Sequence, residues 1–249
     1  MSHPYAAAMK VLVNQIARAK MGTWLGAPRR SRILMFHDVM APGAPLPDEY
    51  ACSLDILQAI LDAYEERGFA FVSLDALLDA PSAQWKEGLC VLTFDDGFAS
   101  LHTLAAPLLC ARGIPFTAYV TTDYLNSPGY LAESQLKDLA GEPLCTIGSH
   151  LVSHPMTRFL PARQVEWEMA TSRDILRSLT GRPVRHMAFP YGSAYACSLR
   201  DAWLAKKTGY RSAALTTPEN YHRSRPLPDH TLPRLNMPAC FQPLPAWGG

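Results

Sequence analysis

Short apolar runs alternate along this chain with longer segments in which apolar residues recur every three or four positions. Such runs are typical of buried strands, and such segments are typical of amphipathic helices. Strands are predicted at residues 32–39, 69–74, 89–94, 115–121, 145–148, 186–189 and 212–216. Helices are predicted at residues 53–67, 101–111, 132–140, 161–179 and 198–208. This alternation indicates a parallel sheet covered by helices, and about seven such units favour an incomplete or distorted (β/α) barrel over an open sheet.

Residues that start or stop helices support two of these boundaries. Ser53 can act as the N-cap of the helix at residues 53–67, and Gly68 ends that helix. Pro161 suits the first turn of the long helix at residues 161–179.

The N-terminal segment at residues 8–21 has the pattern of a basic amphipathic helix. Its apolar face contains Met9, Leu12, Val13, Ile16 and Ala17. Such a helix could lie on an anionic membrane surface, although ordinary helix patterning favours packing on the outside of the domain. Gly26 and Pro28 then indicate a linker. The chain is therefore divided into a helix and linker at 1–31 and a domain at 32–249.

Charge is unevenly distributed along the chain. Residues 1–32 hold six basic residues and no acidic residue, whereas the formal net charge of the whole chain is +1. The rest of the chain is therefore net acidic, which argues against a nucleic-acid partner. At 249 residues, with 48% hydrophobic and 18% charged residues, the chain is globular and long enough for one large domain.

The six cysteines are widely spaced and form no CxxC pair. Cys90 and Cys110 lie inside apolar runs, where a free thiol behaves as a small hydrophobe, so we expect a reducing compartment. No run of about 18 apolar residues is present, and polar residues interrupt the apolar stretch that a signal peptide would need. These features predict a cytoplasmic protein, with at most a peripheral contact at the inner membrane face through residues 8–21.

Two adjacent carboxylates end the apolar run at residues 89–94. Asp95 and Asp96 follow the run directly, and Gly97 follows them. Asp-Gly alone is also typical of an ordinary turn. Charged side chains at the edge of a core are stable only when they are paired, hydrogen-bonded or bound to a cation. The acid pair therefore needs partners elsewhere in the chain.

His150 and His154 follow the predicted strand at 145–148 with the spacing HxxxH. Two histidines at this spacing can face the same way across one helical turn and offer two imidazole nitrogens to one ion. Taken alone, this spacing is a weak signal, and two core or solvent histidines would be the preferred interpretation. Joined to an acid from Asp95 or Asp96, they form a candidate site of two histidines and one carboxylate, which leaves open positions for water and substrate.

The carboxyl ends of barrel strands meet at one face of the molecule, where barrels place their active sites. The candidate residues at or just beyond such ends are His37, Asp95, Asp96, His150 and Tyr191. Tyr191 belongs to the segment Phe189-Pro190-Tyr191-Gly192, which combines a proline-fixed bend with a flexible glycine. Such a segment could present a backbone N–H to a developing oxyanion, or it could be an ordinary strand-to-helix turn.

In this order, the segments at 93–97, 150–154 and 189–192 resemble the first three motifs of the polysaccharide deacetylase family, also called the NodB-homology domain or carbohydrate esterase family 4. The resemblance covers about residues 32–237 and implies a distorted (β/α)7 barrel with a divalent metal, usually zinc. It also implies a role for each motif residue. Asp95 would be the general base, the metal ligands would be Asp96, His150 and His154, and the backbone N–H of Tyr191 would help to form the oxyanion hole.

The chain departs from the family pattern at two places. Many members have an arginine two positions before the proline of the third motif, where this chain has Ala188, and Arg234 is a candidate replacement. Many also have a late Leu-x-His motif, which the segment at 230–236 lacks. The arrangement is closer to the branch that acts on poly-N-acetylglucosamine, in which the histidine of an early strand motif takes the acid's place. His37 is therefore the general-acid hypothesis, with a structural histidine as the alternative and His222 and His230 in reserve.

The resemblance implies a metal-dependent hydrolase that removes N-acetyl groups from N-acetylhexosamine units of a polysaccharide or glycan precursor. One alternative is a deacylase or deformylase of a lipid-linked amino sugar at the membrane surface, which would suit the basic helix at residues 8–21. Another is a non-catalytic glycan-binding domain that has kept a structural metal. Asp95 argues against the binding domain, because a structural site has no need of a free carboxylate beside Asp96.

Overall fold

The computed structural model of the protein describes residues 30–81, 88–218 and 228–237. The predicted helix at residues 8–21, most of the predicted linker and the reserve candidate His222 lie outside these ranges. The division of the chain at residue 31 therefore stays a prediction.

The described strands and helices alternate as expected. The strands are β1 (Arg32–Phe36), β2 (Val39–Met40), β3 (Cys52–Ser53), β4 (Ala70–Phe71), β5 (Leu89–Phe94), β6 (Phe116–Val120), β7 (Cys145–Ser149), β8 (His186–Ala188), β9 (Ser212–Ala214) and β10 (Leu235–Asn236). The α-helices are α1 (Leu54–Glu66), α2 (Leu74–Asp79), α3 (Ala106–Ala111), α4 (Glu133–Gly141), α5 (Ala162–Thr180) and α6 (Leu199–Lys207). A π-helical turn at Leu101–Ala105 precedes α3, and 3-10 turns lie at Thr122–Tyr124, Thr157–Phe159 and Pro228–His230.

The main sheet is parallel and curls on itself. Its strand order is β10-β1-β5-β6-β7-β8-β9, with β4 paired to the start of β5, while β2 and β3 form a separate pair. A parallel bridge between Ala214 and Leu232 brings the segment before β10 beside β9. Because the sheet curls, β10 pairs with β1 at one end of the strand order while the residues just before β10 lie beside β9 at the other end. The predicted fold class, a distorted (β/α)7 barrel, is confirmed.

Burial explains the apolar runs. Strands β1 and β6 are buried along their whole length, and β5 is buried from its second residue onward. Strands covered on both faces of a parallel sheet read as continuous apolar runs rather than as alternating ones. Ser53 caps α1 by accepting a hydrogen bond from the N–H of Ile56 at 3.2 Å, as its position in the sequence predicts.

The structure differs from the sequence prediction at several elements. The predicted strand at 32–39 divides into β1 and β2 around His37. The end of the predicted strand at 69–74 is the start of α2, which Ser73 caps by accepting a hydrogen bond from the N–H of Ala76. Strands β3 and β10 were not predicted, because two residues are too few to show a period. Their partners β2 and β1 supply the pairing.

Helices that could cross a bilayer are absent from the described ranges. Within the same ranges, the five cysteines are free thiols: Cys52, Cys90, Cys110, Cys145 and Cys197. The cytoplasmic location stays a prediction.

An ionic cluster fastens α2 to the amino-terminal edge of the barrel. Arg211, which directly precedes β9, donates hydrogen bonds to Asp75 and Asp79 of α2. The Nε2 atom of the buried His186 lies 3.2 Å from Oδ1 of Asp75. The close contact with His186 and the neighbouring Arg211 lower the pKa of Asp75 from 3.8 to about 2.

Asp75→Asn should therefore destabilise the protein in a pH-dependent way. A carboxyl with a lowered folded-state pKa adds stability above its unfolded-state pKa and loses it as the pH falls through the folded-state value, so this contribution disappears between about pH 4 and pH 2. Because the side chain is partly exposed, we expect a difference of about 1 kcal/mol or less at pH 7. Urea unfolding at pH 7, 5, 4 and 3 measures it, with Asp79→Asn as the control that keeps His186 paired. A difference that does not change with pH would contradict the assignment.

Candidate active site

The carboxyl ends of the strands surround a cavity of about 710 Å³. The six leading candidates from the sequence line this cavity: His37, Asp95, Asp96, His150, His154 and Tyr191. They come from the ends of β1, β5, β7 and β8, so the parallel sheet brings distant motifs to one place.

Asp96, His150 and His154 converge on one point. The Oδ1 atom of Asp96 lies 3.3 Å from Nε2 of His150 and 3.2 Å from Nε2 of His154. The three atoms all lie within 4.8 Å of one another. Oδ1 of Asp96 is buried and receives no hydrogen bond from the described part of the chain. Such an atom, facing two imidazole nitrogens, fits a cation held between them.

The orientation of His150 supports this interpretation. Its Nδ1 lies 2.9 Å from the carbonyl oxygen of Ala188, which can only accept a hydrogen bond, so Nδ1 carries a proton. In the neutral ring, Nε2 then offers its lone pair towards Asp96, as metal-binding histidines do. The donor set of two imidazole nitrogens and one carboxylate suits a divalent metal such as zinc and leaves a coordination position open.

The charges around this point favour a cation. Burial by itself would raise the pKa of Asp96, but its contacts with His150 and His154 bring that pKa well below the usual range. Burial would lower the pKa of His150, but the neighbouring Asp95 and Asp96 bring a net rise. The raised pKa of His150 reflects the negative charge of the two carboxylates beside it, and that charge would also attract a cation.

The loop that carries the two histidines is not the helical turn that their spacing suggested. Residues 150–154 form an irregular loop, with φ values of +68° at Leu151 and +57° at His154. These left-handed residues turn the chain back, so that the two rings lie 4.9 Å apart between centroids. The two histidine rings therefore lie close together, as expected. The prediction that a helical turn would bring them together is wrong.

Backbone strain is concentrated at this site. Within the described ranges, five residues other than glycine have positive φ: Asp96, Asn126, Leu151, His154 and Tyr191. Four of them belong to the strand-end motifs. Left-handed backbone costs non-glycine residues roughly 1 kcal/mol or more each, so the surrounding structure must hold them in place.

Asp95 and Arg234 form a bidentate ion pair. The guanidinium donates to Oδ1 at 2.6 Å and to Oδ2 at 2.7 Å, and both side chains are buried. Arg234 also donates to the carbonyl oxygen of Leu215 at 2.9 Å and to Oγ1 of Thr93 at 3.2 Å. Burial opposes the charge of Asp95, but Arg234 and His150 bring its pKa below the usual value. Arg234 thus lies beside Asp95, where the sequence made it a candidate.

His37 faces the cavity with an unusual environment. Its ring packs edge-on against Tyr50, with centroids 5.2 Å apart, and its Nδ1 is buried with no hydrogen-bond partner in the described ranges. Burial lowers the pKa of His37 more than Asp95 and Asp96 raise it. His230 lies elsewhere, because its Nε2 is 2.8 Å from the carbonyl oxygen of Tyr210 and it does not line the cavity.

Tyr191 lines the cavity and is 53% exposed, and the centroid of its ring lies 4.8 Å from that of His154. Its N–H makes no hydrogen bond with the described residues. Gly192 has φ +56°, and a Cβ there would lie 2.3 Å from Oγ1 of Thr216. This close approach requires glycine, and it fixes the peptide that follows Tyr191 against the end of β9.

Comparison with known proteins gives a family match. The family model described as polysaccharide deacetylase matches residues 83–213, just over half of the chain. A Bacillus subtilis (strain 168) protein named as a polysaccharide deacetylase, YxkH, is 29% identical over 130 residues, which cover 52% of this chain. The matched stretch spans only 45% of that relative's length.

Solved structures share the fold. IcaB from Ammonifex degensii has a TM-score of 0.72 and 22% identity, and the match covers 86% of this chain and 96% of that one. The Streptococcus pyogenes deacetylase PplD, solved in complex with acetate, has a TM-score of 0.71 and 22% identity, with 84% and 92% covered. Identities this low extend the likeness to the fold alone.

Arg234→Met should destabilise the protein by about 3 kcal/mol or more at pH 7, because it leaves the buried Asp95 carboxylate unpaired. Urea unfolding in the presence of a chelator measures the effect without a contribution from bound metal. The double variant with Asp95→Asn should recover part of the loss, giving a coupling of about 1–3 kcal/mol between the two sites. Additive losses in the two single variants would show that the pair is not coupled.

Proposed function

We propose that this chain, which belongs to the polysaccharide deacetylase family, is a metal-dependent hydrolase that removes N-acetyl groups from N-acetylhexosamine units of a glycan. The observation that carries the proposal is that the two adjacent carboxylates have different partners. Asp96 faces two histidines, and Asp95 is paired with Arg234 at the same cavity.

The metal would be held by Asp96, His150 and His154, whose ligand atoms already cluster. When bound, a divalent cation polarises an amide carbonyl and lowers the pKa of water. Zinc is proposed because nitrogen and carboxylate donors are its usual ligands.

Asp95 is proposed as the general base. Its lowered pKa keeps it ionised at neutral pH, and Arg234 fixes its orientation. Each carboxylate oxygen has two lone pairs, and Arg234 occupies only one of them. The other lone pair remains available to accept a proton from the attacking water. This water adds its oxygen to the acetyl carbon, and the negative charge then develops on the former carbonyl oxygen.

The Tyr191 N–H and the His37 imidazole are proposed for the other two tasks. The N–H of Tyr191 has no hydrogen-bond partner within the described ranges and can donate to the developing oxyanion. His37 lines the same cavity and is proposed to protonate the leaving nitrogen as the C–N bond breaks. The products are acetate and a free amine on the sugar.

The cavity wall suits a sugar. Tyr50, Tyr130 and Tyr191 line it together with the polar residues Asp48, Ser193 and Asn236. Aromatic faces and hydrogen-bonding groups in one open cavity match the apolar faces and hydroxyls of a pyranose ring. The acetate in the Streptococcus pyogenes structure is the acid that N-deacetylation would release.

Acetate release from a panel of N-acetylated oligosaccharides and lipid-linked N-acetylated sugars tests the proposal. We expect release by the wild type, its loss on chelation and its return when zinc is added back. Activity that survives complete metal removal would contradict the metal-dependent reaction. Glycan binding without release from any substrate would instead favour a non-catalytic binding domain.

Asp95→Asn should lower acetate release by about 10² or more, because the amide cannot accept the proton. The zinc content of the purified variant should match that of the wild type, since the three proposed ligands are unchanged. Near-normal turnover in this variant would remove Asp95 from the mechanism.

His37→Ala should lower turnover by about 10² or more with metal occupancy retained. His102→Ala is the matched control, because His102 is a partly exposed histidine near Asp138 and outside the cavity. Turnover close to that of the control would make His37 a structural histidine.

A further inference from the structure

Glu168 is a buried acidic residue that the proposed reaction does not use. It lies on α5, is 2% exposed and does not line the cavity. Buried carboxylates are rare unless paired or fully hydrogen-bonded. In the described ranges, no lysine, arginine or histidine forms an ion pair with it.

In the part of the chain that the structure describes, its hydrogen bonds come from two consecutive residues between His150 and His154. Oε2 accepts from the N–H of Val152 at 2.8 Å and from the N–H of Ser153 at 3.1 Å. Oε1 accepts from Oγ of Ser153 at 2.6 Å. Three donors thus surround one carboxylate, as successive N–H groups do at anion sites.

The other side of the same loop is also held. The carbonyl oxygens of Leu151 and Val152 accept hydrogen bonds from Thr122 and Asp123 at 3.2 and 3.0 Å. The loop is therefore fixed through its carbonyl groups by the turn after β6 and through its N–H groups by Glu168. This double attachment acts on a segment with left-handed backbone at Leu151 and His154.

We infer that Glu168 is a positioning residue for the metal site, an inference that rests on the proposed function. Its carboxylate stabilises the strained loop in the conformation that brings Nε2 of His154 to 3.2 Å from Oδ1 of Asp96. Without it, the buried N–H of Val152 and the N–H of Ser153 lose their acceptor, and the loop relaxes away from the left-handed conformation. Because His150 is fixed separately by Ala188, the loss falls mainly on His154.

Glu168→Ala and Glu168→Gln test the inference, with Glu166→Gln as the matched control. Glu166 lies on the same helix and pairs with Lys207 of α6 on the surface, where it does not touch the loop. Zinc affinity is measured by competition with a chromophoric chelator. Hydrogen–deuterium exchange of residues 150–154 is measured in the metal-free protein, so that one readout is independent of both activity and metal.

For Glu168→Ala we expect zinc affinity to fall by about 10- to 100-fold, the range found when groups that orient metal ligands are removed. Exchange in the loop should rise in the metal-free form, and activity should recover at saturating zinc. Glu168→Gln keeps one acceptor oxygen for the two N–H groups, so its affinity should lie between those of the alanine variant and the wild type. Glu166→Gln should match the wild type in both measurements.

Equal zinc affinity and equal loop exchange in wild type and Glu168→Ala would overturn the inference and leave the proposed function intact. If the alanine variant does not fold, equality between Glu168→Gln and the wild type in both measurements overturns it in the same way. Failure of the wild type to bind zinc would overturn the proposed function, and the inference with it.

Discussion

Two adjacent carboxylates must remain ionised at the end of one buried strand. The site depends on each of them having its own partner for its negative charge. The bidentate ion pair with Arg234 neutralises the charge of Asp95, and Asp96 faces His150 and His154. Without these separate partners, mutual repulsion and burial would favour protonation of one acid. The pairing gives each carboxylate a different environment, and therefore a different proposed task.

The ion pair between Arg234 and Asp95 also links the proposed base to the segment that closes the barrel. Arg234 lies in the segment that runs from the bridge with β9 to β10, which pairs with β1. Its guanidinium reaches Asp95 at the end of β5 and also holds the carbonyl of Leu215. The same side chain thus contacts both the closing segment of the sheet and the proposed base.

Much of this architecture could be predicted because it is local. Strand β5 has the predicted bounds, and α1 begins after the predicted cap at Ser53. The motif residues at the ends of β5, β7 and β8 were identified from the chain alone, and the parallel sheet brings them together. The helical turn expected for His150 and His154 was wrong, because loop conformation depends on left-handed residues whose sequence signal is weak when they are not glycine.

The sequence by itself determined the order of the elements and the residue types at the strand ends, since apolar periodicity and short motifs are properties of neighbouring positions. The sequence offered Arg234 only as a candidate, and the tertiary structure decided that it holds Asp95, which is 139 positions away in the chain. The tertiary structure alone showed that Glu168 holds the loop between the histidines. The physical reason is that a buried charge selects its partner by proximity in the closed barrel. That proximity arises from the packing of the whole sheet and leaves no periodic pattern along the chain.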